Sequence, residues 1–150
     1  MRVVIQRVSE ASVVVKDEKV ANIQQGLLVL LGIEIEDVKE DALWLTNKIA
    51  AIRIFSDSEG KMNNSILDVN GDIIVVSQFT LHAKTKKGNR PSYIKSARSE
   101  RAIILYDQFK KELSEFIGKQ VQSGEFGAGM QVSLVNDGPV SIWIDSKSKE

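Results

Sequence analysis

The chain has 150 residues, which is enough for one domain with a hydrophobic core of its own. Its 20 basic and 20 acidic residues balance to zero net charge, and the absence of cysteine excludes a disulfide framework and a thiolate metal site. No stretch approaches the roughly 18 apolar residues of a membrane span, and the first residues lack the pattern of a signal peptide. We therefore expect a cytoplasmic protein with no membrane partner.

The charges are unevenly distributed along this neutral chain. Six basic residues and no acidic residue occur between positions 84 and 98. These basic residues are Lys84, Lys86, Lys87, Arg90, Lys95 and Arg98. A local basic segment can contact nucleic-acid phosphates; the alternative is a solvated lysine-rich loop.

The first third of the sequence is typical of β-strands. Val3–Val8 and Ala11–Val15 are rich in β-branched residues, and a polar turn at Asp17–Lys19 could fold the chain back onto Val20–Ile23 as a hairpin. Gly26–Gly32 is a short apolar run between glycines, which suits a strand buried on both faces. Periodicity alone leaves a buried helix open there.

A helix follows, because one apolar stripe recurs at helical spacing. The stripe consists of Val38, Ala42, Leu45, Ile49 and Ile52. Acidic residues near its start agree with the helix dipole. Arg53–Ser56 then predicts a return to strand, and Asp57–Asn64 has the composition of a polar loop.

The strongest predicted strand is Ile73–Leu81, and it carries polar residues within an apolar run. Strand alternation would put Gln78 and Thr80 on one face and Ser77 and Phe79 on the other. Polar groups carried into a core need hydrogen-bond partners or serve a site. The alternative is a strand that simply leaves the core near its end.

The only histidine, His82, excludes a multi-histidine metal site. On a strand it would share a face with Thr80, so a hydroxyl nucleophile with a histidine base is conceivable. Their separation of about 7 Å along a strand is long for a direct hydrogen bond. No nucleophile elbow, phosphate-binding glycine loop or dinucleotide fingerprint occurs, and no carboxylate spacing indicates a metal.

The last third predicts a second helix and two strands. Ser99 can cap the helix and Gly118 can end it. Its predicted apolar face consists of Ala102, Tyr106, Phe109, Leu113, Phe116 and Ile117. Strands are predicted at Gln131–Val135 and Val140–Ile144, with Asn136–Pro139 between them as a turn. Together the elements indicate a single α+β domain with a largely antiparallel, barrel-like sheet and two main helices.

Several of these segments resemble one known family in order and spacing. The matching stretches are Ile5–Val8, Ala11–Val13, Gly26–Gly32, Arg53–Asp57, Gly60–Asn63, Val76–Leu81, Arg90–Ser92 and Met130–Val140. The chain resembles the D-aminoacyl-tRNA deacylases from end to end. We therefore expect residues 1–145 to form such a domain, residues 146–150 to be a disordered tail, and no cofactor to be needed.

The resemblance implies a two-fold homodimer with a pocket lined by Ser77, Gln78, Phe79 and Thr80. It also implies that a cis Gly138–Pro139 pair enters this pocket from the partner subunit. The carbonyl oxygens of that pair would accept hydrogen bonds from the substrate's α-ammonium and exclude an L side chain. Glycine has no side chain, so some hydrolysis of glycyl-tRNA, mischarged on tRNA-Ala, is expected as well.

For the reaction, the resemblance implies water attack on the ester, with backbone N–H groups around Phe79 and Thr80 holding the oxyanion. The terminal ribose 2′-hydroxyl would assist; Thr80 as a covalent nucleophile is the rival mechanism. Ala102, Phe126 and Met130 would shape the pocket or belong to the core.

The basic side chains that follow the pocket strand would bind the acceptor-end phosphates of the tRNA. They are Lys84, Lys86, Lys87 and Arg90. The chain departs from the family where Ser141 replaces the usual threonine after Gly-Pro-Val, which retains the hydroxyl.

Three alternatives remain open at the level of sequence. A non-enzymatic RNA-binding module would explain the basic segment but would not require the Gly-Pro pair. An editing domain for L-amino acids, of the kind appended to some threonyl-tRNA synthetases, is disfavoured by the free-standing length and by Gly138–Pro139. A relative with a trans Gly-Pro bond would tolerate some L-alanine.

Overall fold

A single long strand organises the sheet. In the computed structural model, which describes all 150 residues, β1 runs from Arg2 to Val15. One of its edges pairs with β3 (Gly26–Gly32) along the first half and with β2 (Glu18–Ile23) along the second half. Its other edge pairs with β8 (Gln131–Asp145) along nearly its whole length. All three pairings are antiparallel.

Beyond β3 the pairing changes from antiparallel to parallel. β6 (Asp72–Ser77) pairs parallel with β3, and the short β7 (Gln122–Ser123) pairs parallel with β6. Parallel neighbours need long crossovers, and here each crossover contains a helix. The Asn22 N–H donates to Gln122 Oε1 at 2.7 Å, so β7 returns towards β2. The sheet is therefore mixed and nearly closed into a barrel, in a single α+β domain as predicted.

The two predicted helices are present. α1 spans Lys39–Ala51 and α2 spans Ser99–Ile117. Gly118 ends α2 in the left-handed conformation, as predicted. Ser99 does not cap α2: the cap position is Arg98, and no side chain bonds the free N–H groups there. Phe116 lies on the exposed side of α2 and not on its buried face.

Three local predictions were wrong or incomplete. Only Phe55–Ser56 (β4) of the predicted strand at 53–56 is extended, and it pairs with β5 (Met62–Asn64), inside the segment predicted as loop. The first hairpin turn lies at Lys16–Asp17, both with positive φ, one residue earlier than predicted. Residues 136–139 were predicted as a turn between two strands; they lie within the single strand β8, although residues 137–140 have no pairing partner on β1.

Alternation along the strands supplies two hydrophobic cores. One face of the sheet packs against the helices through residues such as Ile5, Val29 and Val75. The other face carries the second core, with residues such as Leu28 and Ile74. Because successive side chains point to opposite faces, Ser77 follows Ile73 and Val75 towards the helices.

Residues after 145 make contacts with the domain in this structure. Ser146 is buried, and its hydroxyl accepts a hydrogen bond from the Met1 ammonium at 2.9 Å. Lys147 Nζ donates to Asp41 Oδ2 at 2.8 Å. Burial acts to raise the pKa of the Asp41 carboxyl, but the hydrogen bonds from Lys147 and the Val38 N–H outweigh it, and the net pKa is lowered. We propose that these two residues belong to the folded domain.

None of the helices combines the length and apolar composition that crossing a membrane requires.

Replacing Gly26 with alanine should destabilise the fold, because a Cβ there would lie 1.8 Å from the Asp72 carbonyl oxygen, which cannot move without disturbing the β3–β6 pairing. We expect the free energy of unfolding to fall by at least about 2 kcal/mol, measured by urea denaturation. Gly129→Ala is the matched control, since its Cβ would meet no atom within 4 Å. Equal stability of the two variants would contradict the tight approach of β3 to β6.

Candidate active site

A cavity of about 490 Å³ opens between the end of the parallel strand pair and the start of α2. Its lining contains the ends of β3 and β6, the segment before α2, and residues 126–127. The lining residues are Leu31, Ile33, Ser77, Gln78, Phe79, Tyr93, Ser96, Ala97, Arg98, Ser99, Ala102, Phe126 and Gly127. Three of the four predicted pocket residues at 77–80 are therefore in the lining.

The chain turns sharply where it reaches this cavity. The Gln78 N–H donates to the Leu31 carbonyl at 2.7 Å, and Phe79–His82 then forms a 3₁₀ helix. The prediction of a strand to Leu81 was therefore wrong, and the alternation of faces stops at Gln78. β3 ends at Gly32, so β6 loses its pairing partner there. Gly32 also lets the turn approach, because a Cβ there would lie 2.9 Å from the Gln78 oxygen.

The turn determines what Phe79 and Thr80 can offer. Phe79 is 56% exposed at the mouth of the cavity. The first N–H groups of a helix have no partner inside the helix; here they belong to Phe79 and Thr80, whereas the Leu81 N–H donates to Gln78. Such N–H groups can stabilise an oxyanion or another negative charge.

Thr80 and His82 do not form a nucleophile–base pair in the structure. The Thr80 hydroxyl accepts a hydrogen bond from the Gln78 side-chain amide at 2.5 Å. His82 is buried, and neither of its ring nitrogens has a hydrogen-bond partner. The pairing considered from sequence assumed a strand, and the 3₁₀ turn removes that geometry. Thr80 is absent from the cavity lining.

The segment between the basic loop and α2 contributes Tyr93 and Ser96, which the sequence did not single out, and Arg98, which it had placed only in the basic segment. The Ser96 hydroxyl donates to the Phe79 carbonyl at 3.0 Å. Tyr93 meets Phe79 edge to face, with ring centroids 5.0 Å apart, and Arg98 completes this wall. For Tyr93 and Ser96 the only signal in the sequence was their position shortly after Arg90–Ser92, because their contacts with Phe79 exist only in the folded chain.

Two of the three predicted pocket-shaping residues line the cavity. Ala102 is buried on the first turn of α2, and the Phe126 ring lies 5.4 Å from the Tyr106 ring. The Tyr106 hydroxyl donates to the Val75 carbonyl at 3.0 Å, and burial raises the pKa of Tyr106 to about 12. Tyr106 therefore stays protonated, and its ring packs against the Phe126 ring. Met130 does not reach the lining and packs against the barrel core.

The predicted tRNA-binding side chains lie on an exposed loop beside the cavity. Two backbone hydrogen bonds between Lys84 and Ser92, of 2.8 and 3.0 Å, close the base of this loop. Lys84, Lys86, Lys87 and Arg90 are all exposed and take part in no ion pair. The four charges are thus free to meet an external anion.

Gly138 and Pro139 lie on an exposed segment that leaves the β1–β8 ladder. Gln6 pairs with Ser141 and Val8 with Asn136, so residues 137–140 loop out opposite the single residue Arg7. The Gly138–Pro139 peptide bond is cis. Neither residue belongs to the cavity lining of its own chain.

A buried arginine holds this looped segment, and the sequence analysis missed it. Arg7 donates to the Asp137 carbonyl at 2.9 Å and to the Ile54 carbonyl at 2.6 Å. Gly138 has φ +136°, which L side chains rarely adopt, and a Cβ there would lie 2.9 Å from Arg7 Nη2. An arginine inside an alternating apolar strand was the available signal, because a buried charge needs partners.

A search of the whole chain finds no group of three or more His, Cys, Asp or Glu side chains that could hold a metal ion. The residues that line the cavity carry hydroxyls, one side-chain amide, aromatic rings and one guanidinium. This arrangement can bind and polarise an ester through hydrogen bonds.

Comparison with known sequences supplies the family. The family described as D-Tyr-tRNA(Tyr) deacylase matches residues 4–145. The chain belongs to this family. A D-aminoacyl-tRNA deacylase of Flavobacterium johnsoniae is 61% identical over 150 residues, and one of Akkermansia muciniphila is 59% identical over the same length. In both comparisons all of this chain and all of the relative are covered.

Solved structures share the architecture. A protein named c-Myc DNA unwinding element binding protein superposes with a TM-score of 0.91 at 38% identity, covering 97% of this chain and 98% of that one. A structure described as a "probable eukaryotic D-amino acid tRNA deacylase" has a TM-score of 0.81 at 18% identity, covering 95% and 97%. The second likeness shows the fold alone. The family and the fold expected from the resemblance are thus confirmed.

Proposed function

We propose that this chain hydrolyses the ester bond between a D-amino acid and the 3′ end of tRNA, releasing both. The observation that carries the proposal is the cavity at the Ser77–Phe79 turn in a chain of this family. Full-length relatives about 60% identical are named D-aminoacyl-tRNA deacylases. Such an enzyme acts where aminoacyl-tRNA is made, so we also propose a cytoplasmic location.

The proposed reaction uses water and the backbone of the turn. Attack of water on the ester carbonyl makes a tetrahedral oxyanion, which the N–H groups of Phe79 and Thr80 would stabilise. The substrate's own 2′-hydroxyl would assist proton transfer, because no side chain of the lining is a free general base. The hydrogen bond on the Thr80 hydroxyl and the buried, unpaired His82 both favour this route over a threonine nucleophile.

Selection against L-amino acids would come from a second subunit. Gly138 and Pro139 are exposed and lie outside the cavity of their own chain, so they can act at a cavity only across an interface. In the proposed homodimer their carbonyl oxygens meet the substrate's α-ammonium and occupy the space of an L side chain. A D side chain points outward, and glycine has none, so glycyl-tRNA mischarged on tRNA-Ala is a proposed second substrate.

Arg7 supports this proposal by fixing the presenting segment. Its guanidinium bonds the Asp137 carbonyl immediately before Gly138 and is itself anchored on Ile54. A filter that rejects by steric exclusion must be rigid, because a mobile one would yield to the wrong substrate.

The acceptor end would be held by the basic loop. Lys84, Lys86, Lys87 and Arg90 begin two residues after the turn and have no acidic partner in the chain. Phosphate contacts of this kind position an RNA without reading its sequence. The loop is therefore suited to any tRNA.

The first prediction concerns the esters themselves. The purified protein should hydrolyse D-tyrosyl-tRNA and glycyl-tRNA at least about a hundredfold faster than L-tyrosyl-tRNA, because only the L side chain meets the filter. Pro139→Ala should narrow the difference between D and L esters by exposing the space beside the ammonium, while Gly129→Ala, remote from any contact, should not. Release of radiolabelled amino acid measures each rate.

Equal hydrolysis of D and L esters by the wild-type protein would contradict the filter, and the proposed function would then be reduced to hydrolysis of aminoacyl-tRNA without chiral selection. No hydrolysis of any of the three esters by folded protein would leave a nucleic-acid-binding module. The name of the 38% identical structure, a DNA-binding protein, makes that module the second candidate.

A second prediction separates the two mechanisms. Thr80→Ala should retain kcat on D-tyrosyl-tRNA within about tenfold, because the backbone N–H of residue 80 remains; loss of a covalent nucleophile would cost on the order of 10⁴-fold or more. Thr85→Ala in the exposed loop is the control. Single-turnover rates measure the effect, and a loss of the larger size would establish Thr80 as the nucleophile.

A third prediction concerns tRNA binding. Lys86→Ala with Lys87→Ala should weaken binding of all tRNAs by the same factor and reduce the slope of log K against log salt by about two. Lys61→Ala with Lys111→Ala removes two exposed lysines elsewhere and should leave the slope unchanged. Filter binding across a salt series gives both slopes. A loss confined to one tRNA species would count against phosphate binding by the loop.

A further inference from the structure

His82 is a buried polar group to which the proposed reaction assigns no role. It ends the 3₁₀ helix that carries Phe79 and Thr80. Its side chain is 0% exposed, and both ring nitrogens lack a hydrogen-bond partner. Buried polar groups in folded proteins are nearly always bonded, so an imidazole in this position requires an explanation.

One carboxylate faces the imidazole. Glu34 Oε2 lies 3.9 Å from His82 Nδ1, and the Glu34 side chain is itself mostly buried. Arg2 also lies beside the turn: its guanidinium donates to the Leu81 carbonyl at 3.0 Å and is paired with Asp145. A guanidinium can only donate, so Glu34 is the acceptor that faces Nδ1.

Glu34 belongs to the wall on the other side of the turn. The Ile35 N–H donates to the Lys95 carbonyl and the Ala97 N–H donates to the Ile33 carbonyl, both at 3.0 Å. These bonds place Glu34 opposite Ser96, whose hydroxyl donates to the Phe79 carbonyl. The turn is already linked to Ser96 through Phe79, and Ser96 to Glu34 through the backbone bridge. A contact between His82 and Glu34 would link Glu34 directly to the turn as well.

We propose that His82 donates its Nδ1–H to Glu34 and that this pair is a positioning element for the site. A side-chain movement of about 1 Å brings the two atoms to hydrogen-bond distance. The pair fixes the turn against residues 95–97 and thereby holds the N–H groups of Phe79 and Thr80 in place beside the cavity, whose lining includes Phe79. The kinetic consequence rests on the proposed function; the contact itself does not.

The kinetic test uses a double-mutant cycle. His82→Phe and Glu34→Ala should each lower kcat on D-tyrosyl-tRNA about tenfold with KM changed less than about twofold, because misaimed N–H groups weaken transition-state stabilisation. The double variant should lose no more than either single one. His82→Asn keeps a donor near the position of Nδ1 and should restore most of kcat. Glu36→Ala, an exposed glutamate two residues away, is the control.

The spectroscopic test uses the fact that the chain has a single histidine. In ¹⁵N-labelled protein the imidazole signals belong to His82 alone. The wild type should show a protonated Nδ1 with a slowly exchanging proton, and Glu34→Ala should lose it, since the hydrogen bond selects the tautomer. An unprotonated Nδ1, or spectra unchanged by Glu34→Ala, would overturn the pair.

Failure of this inference and failure of the proposed function look different. A wild-type protein that hydrolyses D-tyrosyl-tRNA, with His82→Asn as impaired as His82→Phe or with additive losses in the double variant, overturns the positioning role alone. A wild-type protein without activity overturns the proposed function and the kinetic role with it, and the ¹⁵N spectrum then still decides whether the pair exists.

Discussion

Hydrogen bonds between β3 and β6 stop at Leu31 and Gln78, and the candidate site is built at the point where they stop. A parallel strand that loses its neighbour must satisfy its next N–H groups in another way. Here the chain winds into one turn of 3₁₀ helix, which satisfies some of them and leaves those of Phe79 and Thr80 without partners in the helix. The same stop brings Gly32 under the turn, where only a glycine allows the close approach. The cavity and the free N–H groups of Phe79 and Thr80 therefore both lie where this strand pairing ends.

A second irregularity, on the other edge of β1, presents the proposed filter. Residues 137–140 leave the ladder opposite Arg7, and burying the guanidinium is favourable only because two carbonyl oxygens and the nearby Asp137 carboxylate compensate it. The arginine and the looped segment thus depend on each other. The positive φ of Gly138 gives this position a local reason for glycine, apart from the proposed filter.

The regular parts of the fold hold these two irregular parts in place. β1 belongs to both, since it carries Arg7 and pairs with β3 and β8. Alternation along β3 and β6 builds a core on each face of the sheet, so the strand ends cannot shift without disturbing packing on both sides. α2 contributes Ala102 to the cavity lining, and the Tyr106 hydroxyl connects that helix to β6 by its hydrogen bond to the Val75 carbonyl. The proposed stabilisation of an oxyanion by backbone N–H groups requires a rigid frame of this kind.

The sequence by itself determined the elements whose cause is local or periodic. The stripe from Ala42 to Ile49 predicted α1, Gly118 predicted the end of α2, and the ordered motifs indicated the family and placed Ser77–Phe79 at the pocket. Tertiary structure alone decided the rest. Periodicity describes which face a residue occupies but not where a neighbouring strand ends. The turn at Phe79 was therefore predicted as strand, and the prediction that Thr80 and His82 lie on one face of that strand was wrong. Likewise, the roles of Arg7, Tyr93 and Ser96 come from partners distant in sequence, because a hydrogen bond between two segments exists only once the sheet has brought them together.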